Sequence, residues 1–224
     1  MNERNSNHPD PSREKIFFFG RIMANVSHEF NNVITVISEL SGLLNDLSLL
    51  SKKGRPIPPE KIESITENIS KQIARGKHLI SHMNRFSHSA DEIPKTVALQ
   101  SIIENMQVLT ERIFKNRQTG ISVIPSSEEY SLKTDPFELR RVLFACMDCF
   151  QDASSSNISI AVHCSENGKE LEVQMTGQIE KNSQDAFRRL EELQKQTTEF
   201  NGRLLFEQTE NQIRIRLVLP SNPE

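Results

Sequence analysis

Two long stretches repeat apolar residues at heptad-like spacing, and a proline-rich break divides them. That pattern commits the first part of this 224-residue chain to a helical hairpin. From about Glu14 to Leu50, residues Ile22, Val26, Val33, Ile37, Leu40, Leu44 and Leu47 follow one another at intervals of 4, 7, 4, 3, 4 and 3. Gly54, Pro56, Pro58 and Pro59 interrupt the pattern. A second stretch, from about Glu60 to Ser87, repeats it through Ile62, Ile65, Ile69, Ile73, Gly76, Ile80 and Met83. Val36 and Leu43 widen the first helix's apolar face beyond what one partner helix can bury. Pairing two hairpins into a dimeric four-helix bundle solves this, so a homodimer is expected. The alternative is that the rest of the chain folds back over the hairpin.

The remainder changes period. Helical patterns over Leu99–Asn116, Asp135–Ala153 and Asn182–Phe200 alternate with strand-like runs at Ile121–Ile124, Tyr130–Lys133, Asn157–Cys164, Leu171–Met175, Leu204–Phe206 and Ile213–Leu219. Asp135-Pro136 is a helix cap with proline in the first turn, and Asn167-Gly168 is a hairpin turn. An α+β sandwich is expected, with helices on one face of a mixed sheet. The domain plan is therefore a disordered N-terminus at 1–13, the helical-hairpin dimerisation domain at 14–88, a linker at 89–96 and the α+β domain at 97–224.

Composition narrows the function. Twenty-seven basic residues against thirty acidic ones leave a net charge of -3, with no basic excess to drive nucleic-acid binding. No apolar run is expected to approach the roughly 20 residues that span a bilayer, and the polar N-terminus reads as neither signal nor transit peptide. A cytoplasmic protein is expected, without membrane or nucleic-acid partners. Cys146 and Cys149 form a CxxC inside an apolar helix, where they read as small buried hydrophobes. His78 and His82 have the i, i+4 spacing of a metal clamp but no evident third ligand, so a surface face is expected and no metal. Arg188-Arg189 beside Glu191-Glu192 reads as a solvated helix face, and Phe17-Phe18-Phe19 as packing at the bundle's end.

The chemistry-bearing candidates lie in the first helix. At 100° per residue, His28 falls about 200° from the apolar seam, so its imidazole faces outward. Asn32 lies one turn above it, and Glu29 lies on the flank. A carboxylate there can orient the imidazole, whose free nitrogen can attack phosphorus, and Asn32 can hold a water or a phosphoryl oxygen.

The stretch from Phe19 through Ser27-His28-Glu29-Phe30-Asn31-Asn32 to Ile37 resembles the phosphoacceptor box of two-component sensor histidine kinases. Ala74-Arg75-Gly76 and Arg85-Phe86-Ser87 resemble the family's second helix. The resemblance implies that His28 is phosphorylated, that Glu29 assists as acid/base, and that Asn32 handles water or the phosphoryl group. Thr134 to Leu143 is similar to the start of the helix that carries the family's Mg²⁺-binding asparagine. At the matching place, however, Cys149 and Phe150 stand before Asp152-Ala153. Cysteine is a poor ligand for Mg²⁺. Val173 to Ile179 lacks the aspartate and paired glycines of the adenine box. Only about Gln178 to Ser183 is left for a phosphate-covering lid.

The chain thus resembles a histidine phosphotransferase on a degenerate kinase scaffold, with an ATPase-domain remnant. It is expected to relay a phosphoryl group between receiver-domain aspartates of response regulators through His28. It would have no cofactor of its own, using Mg²⁺ supplied by the receiver, and ATP is not expected to bind. A non-catalytic protein that docks a receiver domain or kinase is the alternative. An active histidine kinase is a third reading, against which the missing nucleotide motifs argue.

Overall fold

The computed structural model describes residues 11–91, 93–126, 128–152, 157–165, 168–178 and 184–221. Helix α1 (Pro11–Lys52) and helix α2 (Pro59–Ser87) form the hairpin. α1 begins earlier than the sequence pattern implied, so 11–13 are helical rather than disordered. Residues 1–10 lie outside the described residues, as do Asn167 of the expected turn, Ala153, and the short connection 179–183. By length and composition α1 is apolar enough to cross a bilayer, which corrects the expectation that no run comes near. Its apolar stripe is nonetheless only one face: Val33 and Leu47 are buried while Glu39 and Asp46 stand on the same helix.

The linker is shorter than expected. A single 3-10 turn (His88–Ala90) leads to β1 (Lys95–Ala98), so the second domain begins at Lys95 rather than at residue 97. Then come α3 (Leu99–Lys115), β2 (Gly120–Val123), β3 (Ser131–Thr134), α4 (Pro136–Asp152), β4 (Asn157–Cys164), β5 (Glu170–Gln178), α5 (Gln184–Thr197), β6 (Arg203–Gln208) and β7 (Gln212–Pro220). β1 and β3 pair antiparallel. The main sheet runs β2-β4-β5-β7-β6, parallel only between β2 and β4.

Local chemistry explains the boundaries. Asp135 Oδ1 accepts the backbone N–H groups of Phe137 (2.9 Å) and Glu138 (3.1 Å), so the expected cap of α4 is present. After α5, Asn201 takes a left-handed φ of 59° and ends the helical run. Burial alternates along β5 and the first part of β7: Leu171, Val173 and Met175 pair with Leu219, Leu217 and Ile215 on the side that carries the helices. Glu172, Gln174, Arg214 and Arg216 fall on the other face. One sheet face packed and one wet is the expected sandwich.

The hairpin and the sandwich share one core. Phe18, Ile22, Val26, Leu79 and Phe86 join the same buried cluster as Leu109, Leu139 and Phe144. Phe18 sits 5.6 Å from Phe86, 5.5 Å from Phe137 and 5.4 Å from Phe144 between ring centroids, so the Phe17-Phe18-Phe19 run does pack, through its middle ring. Asn25 Nδ2 donates to the Leu109 carbonyl at 2.7 Å, tying α1 to α3. The base of the hairpin is therefore covered by its own second domain. Within this single chain no four-helix bundle is present.

Farther out, the expected seam of α2 divides. Ile65, Gly76, Leu79 and Phe86 turn inward. Ile62, Ile73 and Ile80 remain exposed, at 43%, 45% and 38%. A Cβ on Gly76 would sit 3.4 Å from Val33 Cγ1, so the helices approach as closely as an alanine would allow.

His82 is a second correction. It is buried rather than on a surface face, with Asn105 Nδ2 donating to its Nδ1 (3.1 Å) and its Nε2 3.1 Å from His78 Nε2. Those contacts fit the tautomer protonated on Nε2. Burial, then the charge of Arg85 and that of His78, lower its pKa from 6.5 to about 4. Below pH 6.5 the unfolded chain gains a proton that the folded chain refuses until about pH 4, so this contribution to stability is complete above pH 6.5 and declines with acidification. Urea midpoints are expected to fall over that window, and His82→Gln is expected to flatten the slope. An unchanged slope in the variant would assign the acid sensitivity to other groups.

Candidate functional site

Sequence periodicity puts His28 on the outward face of α1, and the structure places it there, exposed. Among the described residues it makes no hydrogen bond or ion pair. Asn32 is also exposed, one turn farther on. Glu29 is half-buried, and among the described residues its carboxylate makes no bond to the imidazole. Asn32 Nδ2 donates to Glu29 Oε1 at 3.4 Å. Arg75, from α2, pairs with Glu29 Oε2. Arg112, from α3 of the second domain, brings Nη1 to 3.6 Å from Glu29 Oε1. Glu29 and Asn32 are thus brought together, and His28 stands beside them without a bond to either.

The two arginines are the site residues that sequence reasoning passed over. Arg75 belongs to a stretch quoted for its resemblance, but nothing in the sequence aimed it at Glu29. Arg112 belongs to a different domain. The available signal was a half-buried acid on a helix flank, which calls for a cation from a neighbouring element. Together Glu29, Asn32, Arg75, His78, Arg112 and Lys115 line a cleft where α1, α2 and α3 meet.

At the opposite end, α4 turns its unusual residues into the core. Cys146, Cys149 and Phe150 are buried, and neither cysteine forms a disulfide. Burial, with Cys149 nearby, pushes the Cys146 thiol up, so it behaves as the small hydrophobe expected. Among the described residues no cluster of histidine, cysteine and carboxylate groups suits a metal ion. α5 closes over α4 through Ala186, Leu190 and Leu193.

The start of α1 lies across the same helices and is held by charge. Asp148 of α4 accepts both guanidinium nitrogens of Arg21 at 3.0 Å and that of Arg189 at 2.8 Å. Arg189 is exposed, on the solvated face expected for Arg188-Arg189 and Glu191-Glu192, and from there its guanidinium reaches the buried carboxylate of Asp148. Burial would raise the Asp148 carboxyl, but these bonds outweigh it and hold the pKa below its ordinary value. Glu138, bonded by Lys15 (2.7 Å) and Arg141 (2.8 Å), is lowered in the same way against its own burial.

No protein-family model matches the chain, and no curated protein matches it in sequence. Solved structures do. The ATP-binding domain of PrrB from Mycobacterium tuberculosis aligns at 15% identity with a TM-score of 0.50, over 59% of this chain and 100% of that one. The Acinetobacter baumannii histidine kinase AdeS aligns at 12% identity and 0.47, over 88% and 98%. The histidine kinase ThkA in complex with response regulator protein TrrA aligns at 17% identity and 0.47, over 95% of this chain and 65% of that one. This chain is accordingly a helical region followed by an α/β sandwich with the fold of a histidine kinase ATP-binding domain.

Proposed function

We propose that the chain is a histidine phosphotransferase, relaying a phosphoryl group between receiver-domain aspartates by way of His28, without ATP. The observation that carries this reading is the contrast between its two ends. His28 is exposed with Asn32 one turn away, while Cys149 and Phe150 are packed into the core where a kinase of this fold needs a Mg²⁺ ligand and space. An imidazole nitrogen attacks the phosphorus of a receiver's aspartyl phosphate. The P–O bond to the aspartate breaks, its carboxylate leaves, and a P–N bond forms. The reverse step on a second receiver restores the imidazole. Mg²⁺ comes with the receiver, and the chain supplies position and nucleophile. Asn32 holds a phosphoryl oxygen. Glu29, charge-balanced by Arg75 and Arg112, takes up the imidazolium's charge when its side chain turns toward His28.

The functional unit in this reading is a cytoplasmic homodimer. Val36, Leu43 and Leu50 recur every seven residues along α1, and Ile73 and Ile80 do so along α2, partly or wholly uncovered by the single chain. A second hairpin fits that stripe, and light scattering is expected to give twice 25.6 kDa.

Purified protein mixed with receiver domains carrying radiolabelled phosphate is expected to take up acid-labile, alkali-stable label from at least one of them. Mg-ATP with labelled γ-phosphate, supplied alone, is expected to leave the protein unlabelled; label from ATP would restore the kinase reading. The docking reading has one observation in its favour, that Glu29 is bonded to arginines and not to His28. Binding of receivers with no label from any of them would establish it.

A further inference from the structure

A second cleft, of about 650 Å³, opens between the end of α2, β1 and the starts of α3 and α4. Lys77, Arg85, His88, Lys95 and Arg140 line it, and among the described residues no carboxylate does. Ile80, Val97 and Ile102 give it an apolar wall. His88 is paired with Asp91 at 2.6 Å. Arg140, at the start of α4, is the telling residue. It is 5% exposed, yet its two bonds go to neutral acceptors: Nε donates to Asn105 Oδ1 (3.1 Å) and Nη1 to the Pro136 carbonyl (2.8 Å).

No carboxylate pairs with Arg140, Arg85 or Lys77 among the described residues. Burial, and next the charge of Arg85, lower the Arg140 pKa to about 10, a sign that its surroundings work against its charge. Elsewhere this protein meets each buried charge with an opposite one, as at Asp148 and Glu138. A buried guanidinium lacking a counter-charge is expensive. Fastening Asn105 to the first turn of α4 accounts for two of its donors and not for the cations gathered beside it.

We propose that this cleft binds a small phosphate-bearing anion, held by Arg140 and Arg85 with Lys77 at the rim, its organic part resting on Ile80, Val97 and Ile102. A guanidinium fork suits phosphate oxygens, and the cleft has the size of small-molecule sites. The inference is independent of phosphotransfer at His28, which uses none of these residues.

Titration calorimetry with inorganic pyrophosphate at 150 mM NaCl tests it on the full chain. Saturable binding at one site per chain is expected, with affinity at least tenfold weaker in Arg85→Ala and in Lys77→Ala. Both are surface changes whose folding circular dichroism checks. Arg214→Ala, on the far face of the sheet, is expected to bind as wild type does. Absence of saturable binding overturns the proposal, as does equal weakening by all three variants, which would mean diffuse charge attraction. Binding of an oligoglutamate peptide but not of pyrophosphate also overturns it, assigning the cleft to an acidic protein segment.

Discussion

His28→Ala is expected to reduce phosphoryl label on the protein to background while leaving its melting temperature within about 2 °C of wild type. The first half follows from chemistry: alanine offers no nitrogen to attack phosphorus, and His28 is the histidine within the stretch that resembles a phosphoacceptor box. The second half follows from placement. His28 is exposed in mid-helix and makes no bond among the described residues, and alanine is a better helix former than histidine. Intact label in the variant, measured after transfer from phosphorylated receivers, would move the acceptor elsewhere and sink the proposed relay. A large fall in melting temperature would contradict the outward azimuth of the side chain.

The largest stability effect is expected at Asp148. Asp148→Ala leaves Arg21 and Arg189 without their shared buried carboxylate and removes one of the polar ties from α1 to α4 and α5. Breaking a buried pair by removing one partner costs 3–5 kcal/mol, and the lower end applies because Arg21 and Arg189 keep 22% and 43% of their side chains exposed. A loss of about 3 kcal/mol corresponds to a melting temperature lower by roughly 6–12 °C for a chain of this size. The pH dependence has a definite sign. A carboxyl held below its ordinary pKa stabilises the fold above the unfolded value near 4, and the contribution disappears as pH falls through the folded value. The stability gap between variant and wild type is therefore expected to be full at pH 7 and to narrow as the pH falls below about 4. A variant as stable as wild type at pH 7 would show that the remaining contacts, apolar ones of Phe18, Ile22 and Val26 and polar ones of Lys15 and Asn25, suffice to hold the hairpin to the sandwich.

Sequence reading reached most of the elements because their signals are local. A helix is set by residues three and four apart and by its caps. α2 accordingly lies within one residue of the expected Glu60–Ser87, and the Asp135 cap opens α4 where it was read. Strand alternation is a two-residue signal, and β4 and β7 fall close to their expected places. His28 was placed on the outside of α1 by the same arithmetic. The misplacements occur where a local pattern is silent. His78 and His82 share one face by spacing, yet α3 arrives to bury His82 against Asn105. Arg189 lies on the solvated face its spacing implied, but its partner Asp148 could not be read from that spacing because the two are distant in sequence.

The sequence by itself determined the hairpin, the alternation of the sandwich, the outward histidine and the apolar character of the helix carrying Cys146 and Cys149, since each depends on side-chain type and short-range spacing. Only the tertiary structure decided that the hairpin's base is sealed by its own second domain, that Glu29 is held by Arg75 and Arg112, and that Arg140 lies buried without a counter-charge. An apolar stripe or a buried charge states that something must meet it. What meets it depends on how distant elements dock, and the free energy of that docking is shared among contacts that no short window of sequence contains.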